Sequence, residues 1–217
     1  MLSSQVPAIQ AHLREVQHMG LGMLYNLLHS VGAALLASSA EGGLEALSVA
    51  VTALHTLRKV LSGMPTMPQT KELAAPAVVE LLSGYAGLLS RRTHADACQA
   101  AAAAALDCLR EMLVKPHAPG AAHAVLSGLL RTLCAACQAQ LHRWQAGGEA
   151  ARAAAADDPT LGPLLRLLVC FFETQLGRVE ADEELCEGLS ALMQTMGPLM
   201  TARKCVGHAL VGLGFRV

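Results

Sequence analysis

Apolar and polar positions alternate with a helical period along almost the whole chain. Leu44, Leu47, Val51, Leu54, Leu57 and Leu61 follow each other at steps of 3, 4, 3, 3 and 4, one stripe of a 3.6-residue repeat. Ser62-Gly63-Met64-Pro65-Thr66-Met67-Pro68 breaks that pattern, because proline cannot sit in a helix interior and Gly63 suits a C-terminal cap. A second stripe of Leu73, Val78, Leu81, Leu82, Tyr85, Leu88 and Leu89 then completes a helical hairpin ahead of Arg91-Arg92. Neither helix can bury its stripe alone, so the hairpin needs neighbours of the same kind.

The rest of the chain supplies them. A long first helix is predicted from about Pro7 towards Ser38, with Ile9, Leu13, Val16, Met19 or Gly20, Leu24, Leu27, Leu28, Val31 and Leu35 as its stripe. Gly20 and Gly22 are expected to bend or split it, and Ser38 to Gly43 to end it. After Arg92, Thr93 is the expected cap of a helix reaching about Val114, with Asp96 in the first turn to match the helix dipole. Lys115 to Gly120 stops that helix. The next, from about Ala121 to Gln145, carries Val125, Leu129, Leu133, Ala136 and Leu141 inward.

Gly147 to Asp158 reads as a mobile loop or frayed end. Asp158-Pro159 opens a helix through Leu161, Leu164, Leu165, Leu168, Phe171, Phe172 and Leu176, the most aromatic face in the chain. Asp182 caps another with Leu185, Leu189, Leu192 and Met196, and Gly197-Pro198 is expected to interrupt it before a last stretch from Leu199 to Leu213.

Hairpins thus begin near residues 44, 94 and 159. Those intervals approach the roughly 40–47-residue period of HEAT and armadillo repeats, with the excess in loops. The expectation is all-α: one right-handed α-solenoid segment over residues 1–217, of about three to four helix pairs.

Composition agrees. Hydrophobic residues make up 53% and aromatics only 3%, so the core is Leu and Ala, both strong helix formers. Sixteen basic residues against seventeen acidic leave no electrostatic footprint for nucleic acid. Seven cysteines, an odd number scattered through apolar stripes, read as free thiols of a reducing compartment, not as a disulfide framework. No signal peptide is apparent. The charge-free stretch between Glu15 and Glu41 is long enough to span a bilayer, but Gln17, His18, Asn26, His29 and Ser30 interrupt it. A buried helix is therefore expected there, and no membrane; an integral membrane helical protein is the remote alternative.

Candidate chemistry is sparse. Cys134-Ala135-Ala136-Cys137 sets two sulfurs on one helical face, yet no second pair or HxxxH follows at zinc spacing, so no metal is expected. Gly20-Leu21-Gly22 lacks the strand, third glycine and acid of a dinucleotide site. His12, His18, His117 and His123 accompany no nucleophile motif, and neither an enzyme nor a cofactor is expected. What remains is charge at turns. Arg91 and Arg92 stand at an inter-helix turn, Arg131 and Arg143 off the inner stripe of their helix, and Glu183 and Glu184 in an acidic helix start. These six are the candidate protein-binding residues, with Arg131 and Arg143 expected to be exposed.

Three segments also resemble, in order, helices from the middle of exportins, nuclear transport receptors of the importin-β superfamily. They are Leu13 to Leu24; Ala53-Leu54-His55-Thr56-Leu57-Arg58-Lys59-Val60-Leu61-Ser62-Gly63-Met64-Pro65; and Asp107-Cys108-Leu109-Arg110-Glu111-Met112-Leu113-Val114-Lys115. Leu164 to Glu180 is similar to the helix that follows them. The resemblance implies a fragment of a longer receptor that binds protein cargo (actin–profilin in the most similar branch) together with Ran-GTP. It also implies contact with nucleoporins and shuttling between nucleus and cytoplasm. Without that resemblance, a HEAT-type scaffold or adaptor is the expectation.

Overall fold

The computed structural model describes residues 5–37, 40–68, 70, 73–116, 119–146 and 158–201. Seven α-helices account for most of them: α1 Gln5–Ala37, α2 Ala40–Gly63, α3 Ala75–Ala86, α4 Ala95–Leu113, α5 Pro119–Ala146, α6 Leu161–Val179 and α7 Glu183–Thr201. A short 3-10 turn, Gly87–Ser90, extends α3, and the described residues contain no strand. The expected loop at 147–157 and the expected last stretch beyond Thr201 lie outside the described residues.

The helices pack in an alternating order. α2, α4 and α6 lie side by side in sequence, α3 lies against α5 and α5 against α7, while α1 closes on α2 and α3 on α4. The longest shared contacts are α1 with α2, α2 with α4, and α5 with α7. α4 is the centre: its run of Ala101, Ala102, Ala104 and Ala105 is buried, and small side chains let α2, α3 and α6 approach it closely. Where α3 meets α5, a Cβ on Gly128 would stand 3.0 Å from Val79 Cγ1, so that glycine sets how near the two backbones come.

Several local expectations are corrected. α1 runs unbroken through Gly20 and Gly22. Its buried seam is Leu21, Leu28 and Leu35, seven residues apart, whereas Ile9, Leu13, Val16, Met19 and Leu27 of the expected stripe are 42–60% exposed. Thr93 does not cap α4; His94 holds the cap position in the left-handed region at φ 52°, and the helix starts one residue later. α7 passes through Gly197-Pro198 to Thr201, because a proline near a helix end interrupts only one turn of bonding. Asp182 does cap α7, accepting from the backbone N–H groups of Glu184 (3.1 Å) and Leu185 (3.2 Å).

One described helix segment, Gly120–Ala146, is long and apolar enough to cross a membrane by length and composition; it packs against α3, α6 and α7. The stretch after Glu15 lies in α1, against α2.

Candidate functional site

The row α2–α4–α6 is tied by charge. Asp107, in the middle of α4 between Leu106 and Cys108, is only 8% exposed. Its Oδ2 accepts from Arg58 of α2 and its Oδ1 from Arg166 of α6, each at 3.2 Å. One carboxylate thus bridges three helices. Glu111, one turn on, accepts from Arg110 at 2.9 Å and lies 3.9 Å from Arg58 Nε. Every strong acceptor in this cluster meets an arginine, so it reads as a clamp between helices and not as a reactive centre.

A groove opens where α1 faces α3. α1 and α3 share little packing. Two side chains hold them: the Tyr85 hydroxyl donates to the Leu28 carbonyl at 2.6 Å, and Arg91 Nη1 reaches the Leu35 carbonyl at 3.4 Å. Burial pushes the Tyr85 phenol up to about 12, which keeps it a donor. Beyond these contacts the helices leave a groove of about 530 Å³. Gly32, Ala33, Ala77 and Gly84 are small lining residues. Leu81 and Leu88 supply apolar walls. A Cβ on Gly84 would meet nothing within 4 Å, so the space over it is open.

Glu80 and Arg91 stand on the same groove, both exposed, and neither has an opposite charge within ion-pair distance among the described residues. Helical rise along α3 and the 3-10 turn separates them by roughly 16 Å. A largely apolar groove lined by one charge of each sign suits an oriented amphipathic segment.

The six sequence candidates fall in different places. Arg91 lines this groove; Arg92 is exposed beside it in sequence. Arg131 and Glu184 line a second, shallower depression of about 330 Å³ between α5 and α7, and Glu183 is exposed at the start of α7. Glu184 also faces His123 Nε2 at 3.4 Å, and Asp182 faces it at 3.5 Å.

Arg143 is the exception to the expected exposure. Its side chain is 28% exposed, with Nη2 3.2 Å from Asp158 Oδ2 and Nη1 donating to Gln140 and Thr160. It belongs to a buried polar corner joining α5 to α6. The thiols of the CxxC pair are not activated: burial, with Cys134 beside it, pushes Cys137 up to about 12. No group of three or more His, Cys, Asp or Glu among the described residues is placed to hold a metal ion.

Asp158 in that corner makes the acid side of stability testable. Burial disfavours its charge, but hydrogen bonds from Thr160 and Gln140, with the Arg143 guanidinium, outweigh burial and hold its carboxyl below the usual range. Its stabilisation is therefore complete above about pH 3.9, the ordinary aspartate value, and is lost as pH falls through the lower folded value. Asp158→Asn is expected to flatten the decline of the urea midpoint between about pH 5 and pH 2. An unchanged decline would remove Asp158 from the account of acid unfolding.

Sequence reasoning passed over Glu80, Gly84, Tyr85 and Asp107 as site residues. Only Asp107 left a signal: a carboxylate inside the run Leu106-Asp107-Cys108-Leu109 has to find a partner. The groove residues come from segments about 50 positions apart and leave no local mark. Comparison with protein-family models, with curated proteins and with solved structures finds no match.

Proposed function

We propose that this chain is a protein-binding α-solenoid of HEAT/armadillo-like helix pairs whose groove between α1 and α3 holds an amphipathic helix of a partner. The solenoid reading is supported by the packing order, in which α2, α4 and α6 follow one another in one row and α3, α5 and α7 in another, with α1 against α2. The observation that carries the binding reading is the largely apolar groove lined by Glu80 and Arg91, neither of which has an opposite charge within ion-pair distance among the described residues. A partner helix with apolar residues at i, i+3, i+4 and i+7 would fill it, setting a basic residue against Glu80 and an acidic one against Arg91, about three turns apart. Binding, not chemistry, is the mechanism. Shape selects the apolar face, and the two charges select its direction.

Phage-displayed helical peptides selected on the full chain test this. The enriched peptides should share that pattern. Glu80→Arg and Arg91→Glu should each weaken them by roughly tenfold, the scale of one lost charge-assisted contact. Gly84→Leu should abolish binding while leaving the fold at least as stable, by up to about 1 kcal/mol, since leucine is the better helix former and the space over Gly84 is open. No enriched peptide, or peptides indifferent to all three changes, would contradict the reading.

The narrower proposal, a segment of a nuclear export receptor, rests on the exportin resemblance. It puts actin–profilin or another cargo and Ran-GTP on the surfaces that carry Arg91, Arg92, Arg131, Glu183 and Glu184, with passage between nucleus and cytoplasm. Retention on immobilised Ran locked with a non-hydrolysable GTP analogue, and not on the GDP form, is the expected result; equal retention on both would leave the scaffold reading alone.

A further inference from the structure

We propose that two copies of this chain pair through α1, antiparallel, along a seam that the fold leaves open. Ile9, Leu13, Val16, Met23 and Leu27 are 42–74% exposed, and with Gly20 they step along α1 by 4, 3, 4, 3 and 4 residues. That is the spacing of a two-helix seam, here sustained over about 27 Å at 1.5 Å per residue. Among the described residues no other element covers it. At about 100° per residue the seam lies roughly opposite Gly22 and Gly32, which face Leu73, just ahead of α3, and Tyr85 of α3. It also lies roughly a quarter turn from Leu21, Leu28 and Leu35, which pack towards α2.

Three features point to a second copy as the occupant. The steps read the same in both directions, so a two-fold axis through residue 18 sets Ile9 on Leu27, Leu13 on Met23 and Val16 on Gly20 of the other copy. Every seam position then meets another seam position. The centre is built for close approach, because the open space over Gly20 can receive the facing Val16.

Charge also permits it. No Asp, Glu, Lys or Arg occupies the seam or its flanking positions Gln10, His12, Gln17, Met19, Leu24 and Asn26, so a copy meets itself without like-charge contact. Met19, 60% exposed, would sit beside its own counterpart near the axis. An antiparallel pair of this length buries on the order of 1,000 Å² in total, about the least that a biological interface needs.

Light scattering after gel filtration of the full chain at micromolar to hundred-micromolar loading tests the proposal. The expected mass is twice the 22.6 kDa of one chain. Met23→Glu is expected to give the single-chain mass with unchanged helical circular dichroism. Met193→Glu, at an apolar residue 54% exposed on α7, is expected to leave the doubled mass intact. A single-chain mass for the parent at every loading would overturn the pairing, and so would a doubled mass that survives Met23→Glu or is lost in Met193→Glu.

Discussion

Replacing Asp107 with alanine is expected to lower the unfolding free energy by about 3 kcal/mol, at the low end of what breaking a buried ion pair costs. The carboxylate is 8% exposed and joins Arg58 of α2 to Arg166 of α6. Its loss leaves two guanidinium groups near one another, with Glu111 still 3.9 Å from Arg58 Nε. Both arginines are more than a third exposed and can turn towards water, which keeps the cost from the upper end. Asp107→Asn should cost less, because the amide oxygen still accepts one bond while the charge is gone. The decisive variant combines Asp107→Leu with Arg58→Met and Arg166→Met. If the clamp is as described, removing all three charges recovers most of the loss, since the desolvation of the ions disappears with them. Urea unfolding followed by circular dichroism measures each variant. A loss under about 0.5 kcal/mol for Asp107→Ala would mean that the bridge contributes no more than an ordinary surface pair.

Phe171→Ala is expected to cost about 4 kcal/mol, within the usual 3–5 kcal/mol for emptying a buried aromatic site. Phe171 is fully buried in α6 and meets Phe172 edge to face, with ring centroids 5.9 Å apart. Phe171 is the one phenylalanine among the buried core residues described, in a core made mostly of leucine and alanine. Leucines from facing helices are therefore too short to collapse into the space a lost ring leaves. The sole tryptophan, Trp144 of α5, is 3% exposed, so its fluorescence reports unfolding near the α5–α6 corner. A coincident shift by fluorescence and by circular dichroism is expected for a single cooperative unit. A shift by circular dichroism alone would show α6 unfolding apart from the rest.

Most helices were legible because leucine recurs with a helical period and turns are marked by proline and glycine. In α2, Leu47, Leu54, Leu57 and Leu61 of the expected stripe are buried and only Leu44 is largely exposed. α1 shows where that reading fails. Ile9 to Leu27 and Leu21 to Leu35 are both apolar at helical spacing, and periodicity cannot say which face is covered. Caps were legible only where one candidate stood alone: Asp182 is right, while Thr93 lost to the neighbouring His94, whose left-handed backbone turns the chain into α4. The groove was not legible, because it depends on how far α1 and α3 stand apart. Of its polar rim, the sequence singled out Arg91 for lying at a turn and passed over Glu80, which lies mid-helix and looks like any solvated carboxylate. Arg143 was misplaced for a similar reason: Asp158 and Thr160 come from beyond a break in the pattern.

Partner recognition in the α1–α3 groove is the central claim, and methyl NMR of the full chain tests it most directly. On adding a peptide of the selected pattern, the methyl signals of Ala33, Ala77, Leu81 and Leu88 should move first and saturate together, and Gly84→Leu should abolish the response. Movement confined to Val114 and Val169, beside the charged clamp, would contradict the account, as would shifts that persist in Gly84→Leu.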